Sequence, residues 1–106
     1  MYASLQSELF AADIGMVPEL DLHEERPEHV RDVLETFLHV ELVRKTDAVK
    51  IIHGRGAGVL SRIVQSVLKE YKEKHHLVRA FAGSEQLEQA GAVTIVLLER
   101  IGRRIG

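Results

Sequence analysis

The chain has 106 residues, a formal net charge of −2, 45% hydrophobic and 28% charged residues, few aromatics, and neither cysteine nor tryptophan. Such a length fits one domain burying roughly two-thirds of the surface its unfolded form exposes. The lack of cysteine excludes disulfides and zinc–thiolate sites, and the mild acidity argues against a broad basic surface for non-specific nucleic-acid binding or an aromatic platform for single strands.

Leu5, Leu9, Phe10 and Ala12 fall on one side of a short helix that Gly15 ends. Residues 1–17 thus read as an N-terminal arm, packed on the domain or partly disordered, or else docking a partner. The start, Met1-Tyr2-Ala3-Ser4, lacks the basic flank and apolar core of a secretory signal. No stretch reaches the roughly 20 apolar residues of a membrane span. The default expectation is a cytoplasmic protein without a membrane partner.

Pro18 sets an extended entry. Glu19-Leu20-Asp21-Leu22-His23 alternates polar and apolar residues, the pattern of a short strand with Leu20 and Leu22 inward and Asp21 and His23 on the other face. Pro27 suits the first turn of a helix, and Glu28 complements its dipole. Val30, Val33, Leu34, Phe37 and Leu38 give that helix an apolar stripe up to about Arg44, with Lys45-Thr46-Asp47 as the turn.

Ala48 to Ile52 is a second strand, rich in β-branched residues. His53-Gly54-Arg55-Gly56-Ala57-Gly58 leads from it into a second helix, marked by Val59, Leu60, Ile63, Val64, Val67, Leu68 and Tyr71. The far end of that helix, Lys69 to His76, is charged and solvated. Leu77 to Ala82 reads as a third strand and Gly83 to Gly91 as a polar loop. The near-continuous apolar run Ala92 to Leu98 marks a central or doubly covered strand. Residues 100–106, with Arg100, Arg103 and Arg104, form a loose basic tail. The order of the domain, residues 18–99, is β-α-β-α-β-β. Its strand-helix-strand steps place parallel strands under two helices on one face, a two-layer α/β sandwich.

In open α/β sheets ligands gather beyond the carboxyl ends of the parallel strands. One such end offers Asp21 and His23. The other offers His53 and the glycine-rich turn. Gly54, Gly56 and Gly58 permit φ > 0 and close approach by a ligand, and the turn opens onto a helix N-terminus that favours an anion. Arg55, between two glycines, has the reach and geometry for a phosphate, and a phosphodiester fits.

Two blander readings stand beside this. The glycines serve the turn alone, and Asp21 and His23 merely decorate an exposed strand face. The spacing is neither a dinucleotide fingerprint nor a P-loop. His23 titrates near neutrality and suits proton transfer. Asp21 orients His23 or raises its basicity, or holds a divalent ion such as magnesium with Glu24 or Glu25. One carboxylate and one imidazole are thin support for a dedicated two-metal site, so no metal ligands are assigned. His29, His39, His75 and His76 read as surface or helix-end residues. Arg62 and Lys69 are either solvated or an extension of a phosphate track.

Leu20-Asp21-Leu22-His23, then a helix, then Ile51-Ile52-His53-Gly54-Arg55-Gly56-Ala57-Gly58-Val59-Leu60, then Gly91-Ala92-Val93-Thr94-Ile95-Val96, resemble the Smr (small MutS-related) domain from about Pro18 to Glu99. The resemblance implies a fold similar to the C-terminal domain of bacterial translation initiation factor three. Its last strand runs antiparallel and slots between the second and third. It also implies nicking or cleavage of DNA or RNA, with the motif residues at Asp21, His23, His53, Gly54, Arg55 and Gly56. On that basis Arg55 and the loop amides, Gly58 among them, hold the phosphate. His23, oriented by Asp21, activates water or a ribose hydroxyl, and His53 is a second proton donor or phosphate contact.

Two departures from the family pattern are visible. Glu24 stands where the family usually has glycine, placing a negative charge beside a phosphate site. Ala90-Gly91 replaces a glycine pair, which loosens a backbone contact near nucleic acid. The expected function is an endonuclease-like domain. The alternatives are a non-catalytic module for nucleic acid or the ribosome, and a protein-interaction domain.

Overall fold

A computed structural model describes residues 4–55 and 58–100 of the chain. Helix α1 spans Leu5–Ile14, strand β1 Glu19–Asp21, helix α2 Pro27–Val43, strand β2 Ala48–Ile52, helix α3 Val59–Glu73, strand β3 Val78–Gly83 and strand β4 Val93–Leu98, with a 3₁₀ turn at Leu87–Gln89 before the last strand. The strands form one sheet in the order β1-β2-β4-β3. β1 and β2 are parallel, and β4 is antiparallel to both β2 and β3. The apolar run therefore does occupy an interior position. All six residues of β4 are buried.

Side-chain alternation assigns the two faces of the sheet. Val49, Ile51, Val96 and Leu98 join the stripes Val30, Leu34, Leu38, Leu42 of α2 and Val64, Val67, Leu68, Tyr71 of α3 in one core. The i, i+4 spacing in α2 aligns those four side chains on one face, and each is at most 1% exposed. This gives the two layers expected. Pro27 opens α2 as the first helical residue. At its other end Lys45 adopts a left-handed φ of 61°. The Thr46 amide then reaches back to the Glu41 carbonyl, a bond pattern that closes the orphan carbonyls of a helix end.

The opposite face carries a smaller cluster of Ala48, Ala80, Ile95 and Leu97 under Leu9 and Ala12 of α1. The N-terminal helix thus packs on the sheet, mainly over β4. Its apolar grip is slight. Only Ala12 and Asp13 are buried in it, while Phe10 and Ile14 are 55% and 60% exposed. Polar contacts do the rest. A bulge between Val78 and Ala80 interrupts the β3 register, and a bulge re-aims side chains locally. Arg79 donates from both Nη atoms to the two oxygens of Glu8 at 2.7 and 2.9 Å. A pair this accessible is screened by solvent, so orientation is its main effect. Among the described residues no helix is long and apolar enough to cross a membrane.

One local expectation changes. The alternating segment 19–23 is a strand only through Asp21. Leu22 is fully buried as expected, and its amide still donates to the Ile52 carbonyl. His23, however, has left the ladder, because its amide donates to Asp21 Oδ1 at 3.1 Å. An aspartate side chain that captures the amide two residues on turns the backbone out of the strand.

Candidate functional site

The parallel register pairs Asp21 with Ile52, so β1 and β2 deliver their carboxyl ends side by side. The next residues meet. A methyl group on Gly54 would lie 3.1 Å from His23 Cβ, and Gly54 holds φ at +78°. Glycine is needed there for its backbone angle, and a side chain would also press on His23. The two expected motifs are therefore in van der Waals contact.

His23, His53, Gly54, Arg55, Gly58, Val59, Leu60 and Ser61 line a cleft of about 340 Å³. Gly56 lies outside the described residues. Gly58 precedes α3 with a left-handed φ of 91°. The first bond of the helix runs from the Arg62 amide to the Gly58 carbonyl. The amides before Arg62 at the helix start have no intrahelical acceptor, and their partial positive charge favours an anion in the cleft.

On the β1 side, Asp21 Oδ1 also accepts from His23 Nδ1 at 2.6 Å. A carboxylate only accepts, so the imidazole carries its proton on Nδ1 and leaves Nε2 as the atom that exchanges one. The hydrogen bond from His23 and its charge hold Asp21 below the usual carboxylate range. The same hydrogen bond, then the Asp21 charge and a weaker pull from Glu24, raise the His23 imidazole above its ordinary value, against slight desolvation. Glu24 Oε2 stands 3.5 Å from His23 Nε2 and is 87% exposed. Glu25 turns away, with Oε1 near the Arg26 amide and 3.7 Å from His29 Nδ1. Among the described residues no three or more acidic or imidazole side chains converge as a metal cluster.

The β2 side is built differently. His53 is only 6% exposed. Its Nδ1 lies 3.2 Å from the Gly54 carbonyl and its Nε2 2.9 Å from Thr94 Oγ1. A carbonyl only accepts, so Nδ1 donates and Nε2 accepts from the threonine hydroxyl. Thr94 Oγ1 in turn lies 3.4 Å from Gln65 Nε2, a longer donor contact. Both ring nitrogens thus have protein partners. That arrangement suits holding the loop. The His53 and Gly54 amides both donate to the Ala92 carbonyl, at 2.9 and 3.0 Å.

Arg55 is likewise tied down. Its Nε donates to the Ala90 carbonyl at 3.0 Å, and Nη2 donates to the carbonyls of Glu88 at 2.8 Å and Leu87 at 3.4 Å. Arg55 still lines the cleft. Ala90 sits at φ −58°, which alanine adopts freely, and Gly91 takes the positive φ of 76°. The Ala90-Gly91 departure therefore keeps its turn and its carbonyl.

Sequence reasoning missed Thr94, Gln65, Ser61 and the carbonyls of Leu87, Glu88 and Ala90. Thr94 left one signal, as the sole hydroxyl in the apolar run Val93–Leu98. The carbonyls left none. Arg62, although beside the helix start, does not line the cleft. His39 bonds Tyr71 across α2 and α3, and His75 lies 3.4 Å from Glu70, both away from the site.

The Smr domain family profile matches residues 20–99. The chain belongs to the Smr domain family. It is 41% identical over 81 residues to a protein of Geobacillus sp. named endonuclease MutS2, 37% identical to one of that name from Staphylococcus epidermidis, and 36% to a putative endonuclease MutS2 of Bacillus subtilis. Each match covers 76% of this chain and only 10% of the relative. In fold, it is similar to the Smr domain of Thermus thermophilus MutS2, with TM-score 0.69, 24% identity and coverage of 78% of this chain and 99% of that one. It is also similar to YdaL, a stand-alone small MutS-related protein from Escherichia coli, with TM-score 0.73, 20% identity and coverage of 92% and 79%. The Smr domain so defined begins after α1.

Proposed function

We propose that this Smr domain cleaves nucleic-acid phosphodiesters. The observation that carries the reading is the Asp21–His23 pair, with Nδ1 held at 2.6 Å and Nε2 left for proton exchange at the rim of an anion-favouring cleft. In this reading His23 takes a proton from the attacking water or ribose hydroxyl. Arg55 and the amides at the start of α3 hold the phosphate and stabilise its developing charge. His53 fixes the loop that presents them. DNA and RNA share the phosphodiester, so both are substrates of the same proposed chemistry. The name endonuclease carried by relatives supports the reading.

Glu24 favours a second reading, binding without cleavage, because its carboxylate faces the nitrogen that would exchange the proton. A cleavage assay separates the two. Labelled single-stranded, duplex and branched DNA and RNA are incubated with and without magnesium or manganese. Wild type is expected to cut at least one substrate. Asp21→Ala and His23→Ala are expected to lose about 10²-fold or more, the usual contribution of a positioned acid–base group. Equal cutting by all three proteins would sink the catalytic reading.

A further inference from the structure

Asp13 lies on α1, outside the matched family region, yet it is 3% exposed. Its Oδ1 accepts from Ser84 Oγ at 2.7 Å and from Gln86 Nε2 at 2.9 Å, and its Oδ2 accepts from the Glu85 amide at 2.8 Å. Its backbone carbonyl takes a further bond from Gln86 Nε2 at 2.7 Å. One aspartate thus gathers the first three residues after β3. Gln86 lies 3.3 Å and Ser84 3.0 Å from the Gln89 amide oxygen, extending the network across the 3₁₀ turn. The carbonyls of Leu87 and Glu88 in that turn and of Ala90 after it are the ones that hold Arg55. Asp13 of α1 and Arg55 at the cleft are therefore both hydrogen-bonded to one short stretch of chain, Asp13 to residues 84–86 and Arg55 to the carbonyls of Leu87, Glu88 and Ala90.

We propose that Asp13 is a positioning residue for the phosphate site, fixing the segment 84–90 so that its carbonyls hold Arg55 ready for a phosphate. Arg55 is long and exposed. Left loose, it must be ordered when the anion binds, at a cost typical of immobilising a flexible side chain. Held by Nε and Nη2, its plane is set beforehand. Among the described residues the Asp13 side chain hydrogen-bonds to residues 84–86 and to none that line the cleft, so its proposed influence on binding passes through Arg55. The nucleic-acid part of this inference rests on the function proposed above, whereas the coupling of Asp13 to Arg55 does not.

The full chain tests both parts. The Arg55 Nε–H resonance of ¹⁵N-labelled protein reports the coupling without any ligand. Protection from solvent exchange is expected in wild type and its loss in Asp13→Ala. Gln86→Ala removes one link and is expected to reduce protection should Asp13→Ala fail to fold. Affinity for a labelled hairpin, made as DNA and as RNA, is then expected to fall about three- to tenfold in Asp13→Ala. The same substitution in an Arg55→Ala background is expected to change affinity no further. Arg79→Met cuts the other tether of α1 and is expected to leave protection and affinity intact. Unchanged Arg55 protection in a folded Asp13→Ala protein would overturn the proposal, as would an affinity loss of the same size without Arg55. Lost protection with no hairpin binding even by wild type would uphold the coupling and discard the nucleic-acid reading.

Discussion

The two halves of the cleft are held by opposite means. At the end of β1, Asp21 and His23 are two residues apart, both about half exposed in their side chains, and bonded mainly to each other. At the end of β2, His53 relies on Thr94, 41 positions away, and Arg55 on carbonyls 32 to 35 positions away. The first half is a local device that comes with a short motif. The second exists only after β4 has inserted beside β2 and the 3₁₀ turn has formed. The Asp21–His23 pair is thereby left accessible, while the loop that carries His53 and Arg55 is braced from behind.

By this contrast, substitutions in the braced half cost stability and those in the local half do not. Thr94→Val keeps shape but leaves buried His53 Nε2 without a donor. Thermal or denaturant unfolding is expected to show a loss of about 1–3 kcal/mol, against almost none for Asp21→Asn. Gly54→Ala attacks the seam between the halves. Its left-handed φ and the 3.1 Å approach to His23 Cβ predict a loss of about 1–2 kcal/mol, together with altered His23 chemical shifts. The smallest effect belongs to Glu24→Gly. It removes an exposed charge beside His23, and hairpin affinity at low salt is expected to rise by up to about fivefold, fading as salt is added. Stronger binding that ignores salt would deny Glu24 an electrostatic part.

The same contrast explains what could be read from the sequence. The β2 span and the start of α2 were legible because β-branched residues, Pro27 and the i, i+4 stripe are local signals. So was the meeting of Asp21-x-His23 with His53-Gly54, once two parallel strands were assumed neighbours. The strand reading of His23 failed because the Asp21 carboxylate captures the His23 amide, a contest between side chain and ladder that alternation does not register. The bonds from Arg55 to the carbonyls of Leu87, Glu88 and Ala90 were not legible because backbone acceptors have no sequence signature. Asp13 read as part of an arm, although its partners at 84–86 make it among the most heavily bonded carboxylates described. Burial pushes that carboxyl up, but the bonds from Gln86, Ser84 and the Glu85 amide, with nearby Lys50, outweigh it and keep it below its ordinary value.

The measurement closest to the central claim is the pH dependence of cleavage by wild type and Asp21→Asn. Asp21 raises the His23 pKa, and a base acts only above its pKa, so the rate should climb with pH through that raised value. Asparagine removes the charge that raises it. The account predicts a lower plateau reached at lower pH, with no cutting above background by His23→Ala. A limb that stays in place in Asp21→Asn, or cutting that His23→Ala retains, would contradict it.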